Sequence, residues 1–160
     1  MMKNRDVSSF WFFLFLGIGV LVTLVVSMFV RPVYIPSASM EPTIHSNSFV
    51  LCDRTAYKGN EEPKRQDIIV FWSEEENKYL CKRIIGLPED TIQISGNSIY
   101  VNGIKLDESY IEGEVNYEEM EVTVPKEMYF VMGDNRNNSN DSRHWENPFI
   151  AEDSIVGKVM

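Results

Sequence analysis

"KYLCKRII", residues 78–85, sets a lysine and an arginine side by side inside an apolar run. Read as an extended strand, its side chains alternate faces: Leu80, Lys82 and Ile84 on one, Cys81, Arg83 and Ile85 on the other. Lys82 is then flanked along its own face by apolar neighbours. Burial in such company disfavours the ammonium and lowers the pKa, which makes Lys82 a candidate general base. The plainer reading is a lysine that snorkels from the strand into water. Arg83 is no alternative base, because a guanidinium keeps its proton in proteins.

Runs of the same kind surround it. "SFVLCD" (48–53), "DIIVFW" (67–72), "TIQIS" (91–95), "SIYVNG" (98–103), "EVTVP" (121–125) and "MYFVMGD" (128–134) favour β-branched or aromatic residues, and "SIVGKVM" reads as a final strand. Gly96-Asn97 and Asn102-Gly103 read as hairpin turns. Polar stretches at 57–66, 73–77 and 107–119 read as loops or edges. No long amphipathic helix is legible after residue 31. The expectation is a mostly β domain over residues 31–160, built from antiparallel strands in a sheet or barrel-like form.

What precedes it is different. "SFWFFLFLGIGVLVTLVVSMFV", residues 9–30, carries no charge, and none lies between Asp6 and Arg31. About 20 apolar residues at about 1.5 Å rise cross a hydrocarbon core about 30 Å thick, and Trp11 sits where an interfacial anchor would. A cleaved secretory signal has an apolar core of only about 7–15 residues, although Ser37-Ala38-Ser39 does offer small residues for such a cleavage. The expectation is an uncleaved transmembrane helix. Lys3, Arg5 and the terminal amine precede the span, whereas Arg31 stands alone after it until Arg54. This bias places residues 1–8 in the cytoplasm and everything after Arg31 outside it.

Composition excludes several functions. The 160-residue chain has a formal charge of −9, which is wrong for a nucleic-acid surface. Cys52 and Cys81 lack metal-site spacing; they read as small buried hydrophobes, with a single bridge as the other option. No HExxH, P-loop or GxGxxG pattern occurs, so no metal or cofactor is expected. The two histidines, His45 and His144, lie in polar, turn-like stretches and read as surface or hydrogen-bonding residues rather than members of a Ser-His-Asp triad.

Two further stretches hold candidate chemistry. "PSASMEPT" (36–43) places serines at alternate positions, Ser37 and Ser39, just beyond the apolar run. A linker would account for that, and so would a nucleophile beside a hydrogen-bond donor. "GDNRNNSNDSRHW" (133–145) has the Gly, Asp, Asn and Ser density of a structured loop, with Asp141 and Arg143 set to pair with charges or backbone. Asn137-Asn138-Ser139 and Asn140-Asp141-Ser142 also match glycosylation acceptors.

Taken together and in this order, "PSASMEPT", "YLCKRIIGLPED" and "GDNRNNSNDSR" behind one apolar span resemble the bacterial type I signal peptidases. The short interval 83–132 is similar to the compact Gram-positive members. The resemblance implies Ser39 as nucleophile and Lys82 as general base. It implies an oxyanion hole from the Ser37 hydroxyl and the Ser39 backbone amide, and Ser139 as the residue that orients the lysine. Asp141 and Arg143 would form a supporting ion pair, with Asp134 and Arg136 architectural and Met40 and Pro42 shaping the turn. The implied partners are the membrane and secretory preproteins with small residues at −1 and −3, held as an added strand by segments 33–37 and 79–81.

Two departures stand out. The family's second motif usually reads GLPGD, and Glu89 takes the glycine's place; relatives also commonly continue beyond the position of Met160. Two other functions are compatible with the residues alone: a tethered β domain that only binds, and a self-cleaving Ser-Lys regulator. The second lacks a DNA-binding module and the charge for one.

Overall fold

The computed structural model describes residues 3–160; Met1 and Met2 of the expected cytoplasmic tail lie outside the described residues. Helix α1 (Lys3–Phe29) contains the apolar stretch Ser9–Phe29, 21 residues long, enough for about 31 Å of rise. Phe13, Phe15, Leu21, Leu24 and Met28 are all exposed along it. A helix apolar on every side suits hydrocarbon, not water.

Strand β1 (Val30–Ile35) leaves α1 without a linker. The sequence ends the apolar span at Val30 and shows no strand pattern over 31–35, so this edge strand is a finding of the structure. Its proline is tolerated because β1 lies at a sheet edge, where a missing N–H costs little. The remaining strands are β2 (Ser48–Asp53), β3 (Ile68–Ser73), β4 (Lys78–Gly86), β5 (Thr91–Ser95), β6 (Ser98–Val101), β7 (Ile104–Lys105), β8 (Met120–Thr123), β9 (Met128–Met132), β10 (Ile150–Ala151) and β11 (Ile155–Val159). The expected mostly antiparallel architecture is present. Seven strands form one sheet in the order β1-β2-β11-β3-β4-β9-β10, and four form another, β7-β6-β5-β8.

The last strand is drawn into the middle of the large sheet. β11 pairs with both β2 and β3, with Lys158 opposite Asp53 and Gly157 opposite Val70. A Cβ on Gly157 would lie 2.2 Å from the Asp53 carbonyl oxygen, so this crossing admits only glycine. Both expected hairpins form, between β5 and β6 and between β6 and β7. Asn102 and Gly103 have φ of 53° and 77°, the paired positive values a two-residue hairpin turn requires.

Three apolar clusters hold the domain. Ile85, Ile92, Ile94, Ile99, Phe130 and Met132 form the first, against the small sheet. Ile69, Phe71, Ile84, Tyr129, Val131 and Trp145 form the second. Ile35, Met40, Ile44, Cys52, Val70 and Cys81 form the third, in which both cysteines are free thiols. β4 sits where the three meet. Leu80 and Ile84 join the second cluster, Cys81 the third and Ile85 the first, so the strand alternates as its sequence requires up to an irregularity between Ile84 and Gly86.

Glu89 does occupy the left-handed region, with φ of 69°. Its N–H donates to the Val124 carbonyl at 2.9 Å, which ties the turn to the end of β8 and holds the strained conformation. The side chain is exposed and lies 3.7 Å from Lys126, a surface contact of little weight. Glu89→Gly is therefore expected to stabilise the domain by about 1 kcal/mol, a rise in Tm of roughly 2–4 °C. A thermal melt with no rise would show that the turn carries no strain.

Candidate active site

The chain leaves β1 through Pro36 into a compact turn, residues 37–44. Glu41 N–H donates to Ala38 O at 3.2 Å and Ile44 N–H to Met40 O at 2.9 Å, while the fully buried Met40 pins the turn to the third cluster. This lifts Ser39 to the face of β4. Lys82 Nζ lies 2.6 Å from Ser39 Oγ, and Ser37 Oγ lies 3.3 Å from it on the other side. The three residues singled out in the sequence thus meet in one place. Lys82 is 3% exposed and Ser39 8%, so the snorkelling reading of Lys82 fails.

Burial drives the Lys82 pKa down. The Asp141 carboxylate opposes that, and the charges of Arg143 and Lys78 add to it. An amine at this distance from a hydroxyl is placed, in its neutral form, to take its proton, and a lowered pKa favours that form. Burial also pushes the neighbouring Cys81 thiol up to about 12, so it stays protonated and is no rival nucleophile.

The loop after β9 closes the site from the far side. Arg143 binds the completely buried Asp141 through two bonds of 2.8 Å, Nε to Oδ1 and Nη2 to Oδ2, and also donates to the Arg136 carbonyl. Gly133 N–H donates to Asp141 Oδ2 at 2.9 Å. Burial alone would raise the Asp141 pKa; the bonds and charge of Arg143 and the Gly133 N–H outweigh it and hold the carboxyl low. Asp141 and Arg143 are thus paired, as the resemblance implied. A Cβ on Gly133 would meet Ser139 Oγ at 2.2 Å and the Ser39 carbonyl at 2.4 Å, so the loop seats on the serine turn only with glycine there.

Ser139 differs from the expectation. Its hydroxyl is buried over Gly133 and lies beside Asp141, whose ionised form it favours, but it makes no hydrogen bond of normal geometry, to Lys82 or elsewhere. Lys82 Nζ is instead directed at Ser39. In the two glycosylation patterns the acceptor asparagines, Asn137 and Asn140, are exposed, whereas Ser139 and Ser142 are buried. Ser142 Oγ accepts the Val131 N–H at 2.9 Å and so serves the loop's own seating. His45 and His144 are exposed, as read from their context.

A cleft of about 300 Å³ opens beside Ser39 and Lys82. Val33 and Ile35 of β1, Val70 of β3 and Leu80 and Cys81 of β4 form its apolar lining, with Asn138 and Asn140 at its rim. Among the described residues no strand pairs the outer edge of β1. β9 pairs with β4 only over Arg83–Gly86, which leaves residues 78–82 without a partner on that side.

Comparison with known proteins gives the family. Residues 8–160 match the family described as "Signal peptidase, peptidase S26". The chain belongs to this family. It is 41% identical over 133 residues to the "Probable signal peptidase I-2" of Synechocystis sp. (strain ATCC 27184 / PCC 6803 / Kazusa), an alignment covering 79% of this chain and 60% of that relative. With signal peptidase I T of Bacillus subtilis (strain 168) it is 39% identical over 154 residues, covering 88% and 77% of the two chains. The crystal structure of a signal peptidase I from Enterococcus faecalis V583 superposes with a TM-score of 0.56 at 34% identity, covering 64% of this chain and all of that one. The chain thus spans about three fifths of the length of the Synechocystis relative.

In this signal peptidase family member Asp134 and Arg136, given as architectural by the resemblance, have partners the sequence did not show. Arg83, next to Lys82, clamps buried Asp134 through Nε at 2.8 Å and Nη2 at 2.6 Å, and lies 4.0 Å from the Tyr110 ring. Arg136 is buried among the Gly133 carbonyl, Glu108 and the hydroxyls of Tyr110 and Tyr117. These tyrosines and Glu108 come from the stretch 107–119, read from its polarity as plain loop. Two tyrosines in a polar segment, opposite unpaired arginines elsewhere, were the available signal.

Proposed function

We propose that the chain is a membrane-anchored serine endopeptidase that removes N-terminal signal peptides from secretory preproteins. The observation that carries this is the buried Lys82 amine 2.6 Å from Ser39 Oγ, beside a cleft. In the proposed reaction Ser39 Oγ attacks the scissile carbonyl carbon as its proton passes to Nζ. The tetrahedral oxyanion is met by the Ser39 N–H and the Ser37 hydroxyl. Collapse breaks the C–N bond, and the Lys82 ammonium returns the proton to the leaving amine. Water then releases the signal peptide from Ser39, again with Lys82 as base. Asp141 with Arg143 is proposed to hold the loop behind the amine.

The substrate is proposed to lie extended between the free edges of β1 and β4 and to bond to both backbones. The small apolar cleft suits small side chains at −1 and −3. α1 is proposed to span the membrane with its N-terminus in the cytoplasm and residues 31–160 outside it. Because β1 follows α1 directly, the cleft stays near the bilayer surface where a signal peptide emerges.

The test is cleavage of a preprotein with alanine at −1 and −3 by the full chain in proteoliposomes, with the new N-terminus identified by mass. The pH profile is part of it. Lys82 is active neutral, and its pKa is lowered, so activity is expected to persist well below the ordinary lysine value of about 10.4 and to fall as the amine protonates in acid. A rate that is flat down to pH 5 would rule out the amine as base.

A further inference from the structure

Two consecutive carbonyls of the serine turn are held by one residue of the far loop. Asn135 Nδ2 donates to the Ala38 carbonyl at 3.1 Å, and Asn135 N–H donates to the Ser39 carbonyl at 3.0 Å. Nothing local calls for asparagine there. Asn135 precedes the short helical turn Arg136–Asn138, where an asparagine usually caps the helix with its side chain, yet it makes no cap bond. Its amide is used across 97 residues of sequence instead.

The consequence follows from peptide geometry. Ala38 C=O and Ser39 N–H belong to one peptide unit, and in a trans unit they point in opposite directions. Among the described residues only Glu41–Pro42 is cis. The same carbonyl also accepts the Glu41 N–H of its own turn at 3.2 Å, so Asn135 adds a second hold to a plane the turn already biases, and drawing the carbonyl toward these two donors turns the Ser39 N–H away from them. Asn135 does not line the cleft, whereas Ser37, Ser39 and Lys82 do, so the N–H is turned toward the cleft side.

We propose that Asn135 is a positioning residue for the oxyanion hole, locking the Ala38–Ser39 peptide plane from behind. The inference rests on the reading of Ser39 as nucleophile and adds a residue to it. The loop is well placed for this: Asp134, next to Asn135, is clamped by Arg83, next to Lys82. One loop thus registers the amine's strand and the serine's amide against each other.

Asn135→Ala and the isosteric Asn135→Asp test it, in the full chain with the same preprotein. Losing an oxyanion donor outright costs about 10²–10³ in kcat, so loosening one through Asn135→Ala is expected to cost about tenfold. KM should change by less than about twofold. Asn135→Asp, which turns a carboxylate on the Ala38 carbonyl, should cost more. A peptide boronic acid, whose adduct with Ser39 places an anionic oxygen in the hole, should weaken in parallel with kcat. A peptide ending at −2 with an amidated terminus, which engages the strand edges but leaves the hole empty, should bind as to wild type, and the acid limb of the pH profile should not move.

A kcat within twofold of wild type in both variants overturns the inference. So does a loss in which affinity for the amidated peptide ending at −2 and the acid limb shift together with boronate affinity, since that marks a general loosening of the site. Wild type that fails to cleave the preprotein defeats the reading of Ser39 itself, and this inference with it.

Discussion

Ser39→Ala and Lys82→Met are each expected to reduce cleavage of a preprotein with alanine at −1 and −3 by at least about a thousandfold. The two act as one unit, so the double variant should be little worse than either alone. Without Ser39 Oγ there is no atom to form the acyl bond. Without the amine the hydroxyl keeps its proton and the leaving nitrogen receives none.

Lys82→Met also supplies its own control for folding. A folded-state pKa below the unfolded value means that, between the two, the unfolded chain holds one more proton. Stability then rises with pH through that window, and below it the wild type bears the cost of burying the amine. Methionine fills similar space without that cost, so Lys82→Met should melt no lower than wild type while inactive. Normal processing by either folded variant would end the Ser/Lys assignment.

The largest stability effect is expected at Asp141. It is completely buried and carries both bonds of the Arg143 pair together with the Gly133 N–H. Asp141→Asn leaves a largely buried guanidinium without its counter-charge, which costs about 3–5 kcal/mol. In a domain of this size that is a fall in Tm of roughly 6–20 °C. Removing both charges with Arg143→Met should recover part of the loss, because no uncompensated charge remains. The asparagine also removes a carboxylate that favours the charged Lys82, so residual activity should persist to lower pH. A fall in Tm of under 2 °C, or a double variant as unstable as the sum of the singles, would show that the pair is not what holds the loop.

Much of the fold was legible because its signals are local. The alternation of Leu80, Lys82 and Ile84 against Cys81, Arg83 and Ile85 survives in the packing of β4. Gly96-Asn97 and Asn102-Gly103 turn where their backbone preferences say they should. β1 escaped because Arg31 and Pro32 break any alternation in Val30–Ile35, and only its pairing with β2 marks it as a strand. β7 and β10 are two residues each, too short to show a period. The polar stretch 107–119 escaped for the opposite reason: its tyrosines and Glu108 gain meaning only opposite Arg83 and Arg136.

By itself the sequence determined where the chain runs as apolar helix, where it alternates as strand and where it turns, since these depend on neighbours a few residues apart. The tertiary structure alone decided that Lys82 is buried, with its pKa lowered, rather than solvated, because burial is summed over three apolar clusters from distant strands. It also decided which partners meet: Ser39 with Lys82 across 43 residues, Arg83 with Asp134 across 51, and Ala38 with Asn135 across 97. Such contacts come from the closing of the sheet around β4 and β11, and no periodicity along the chain encodes them.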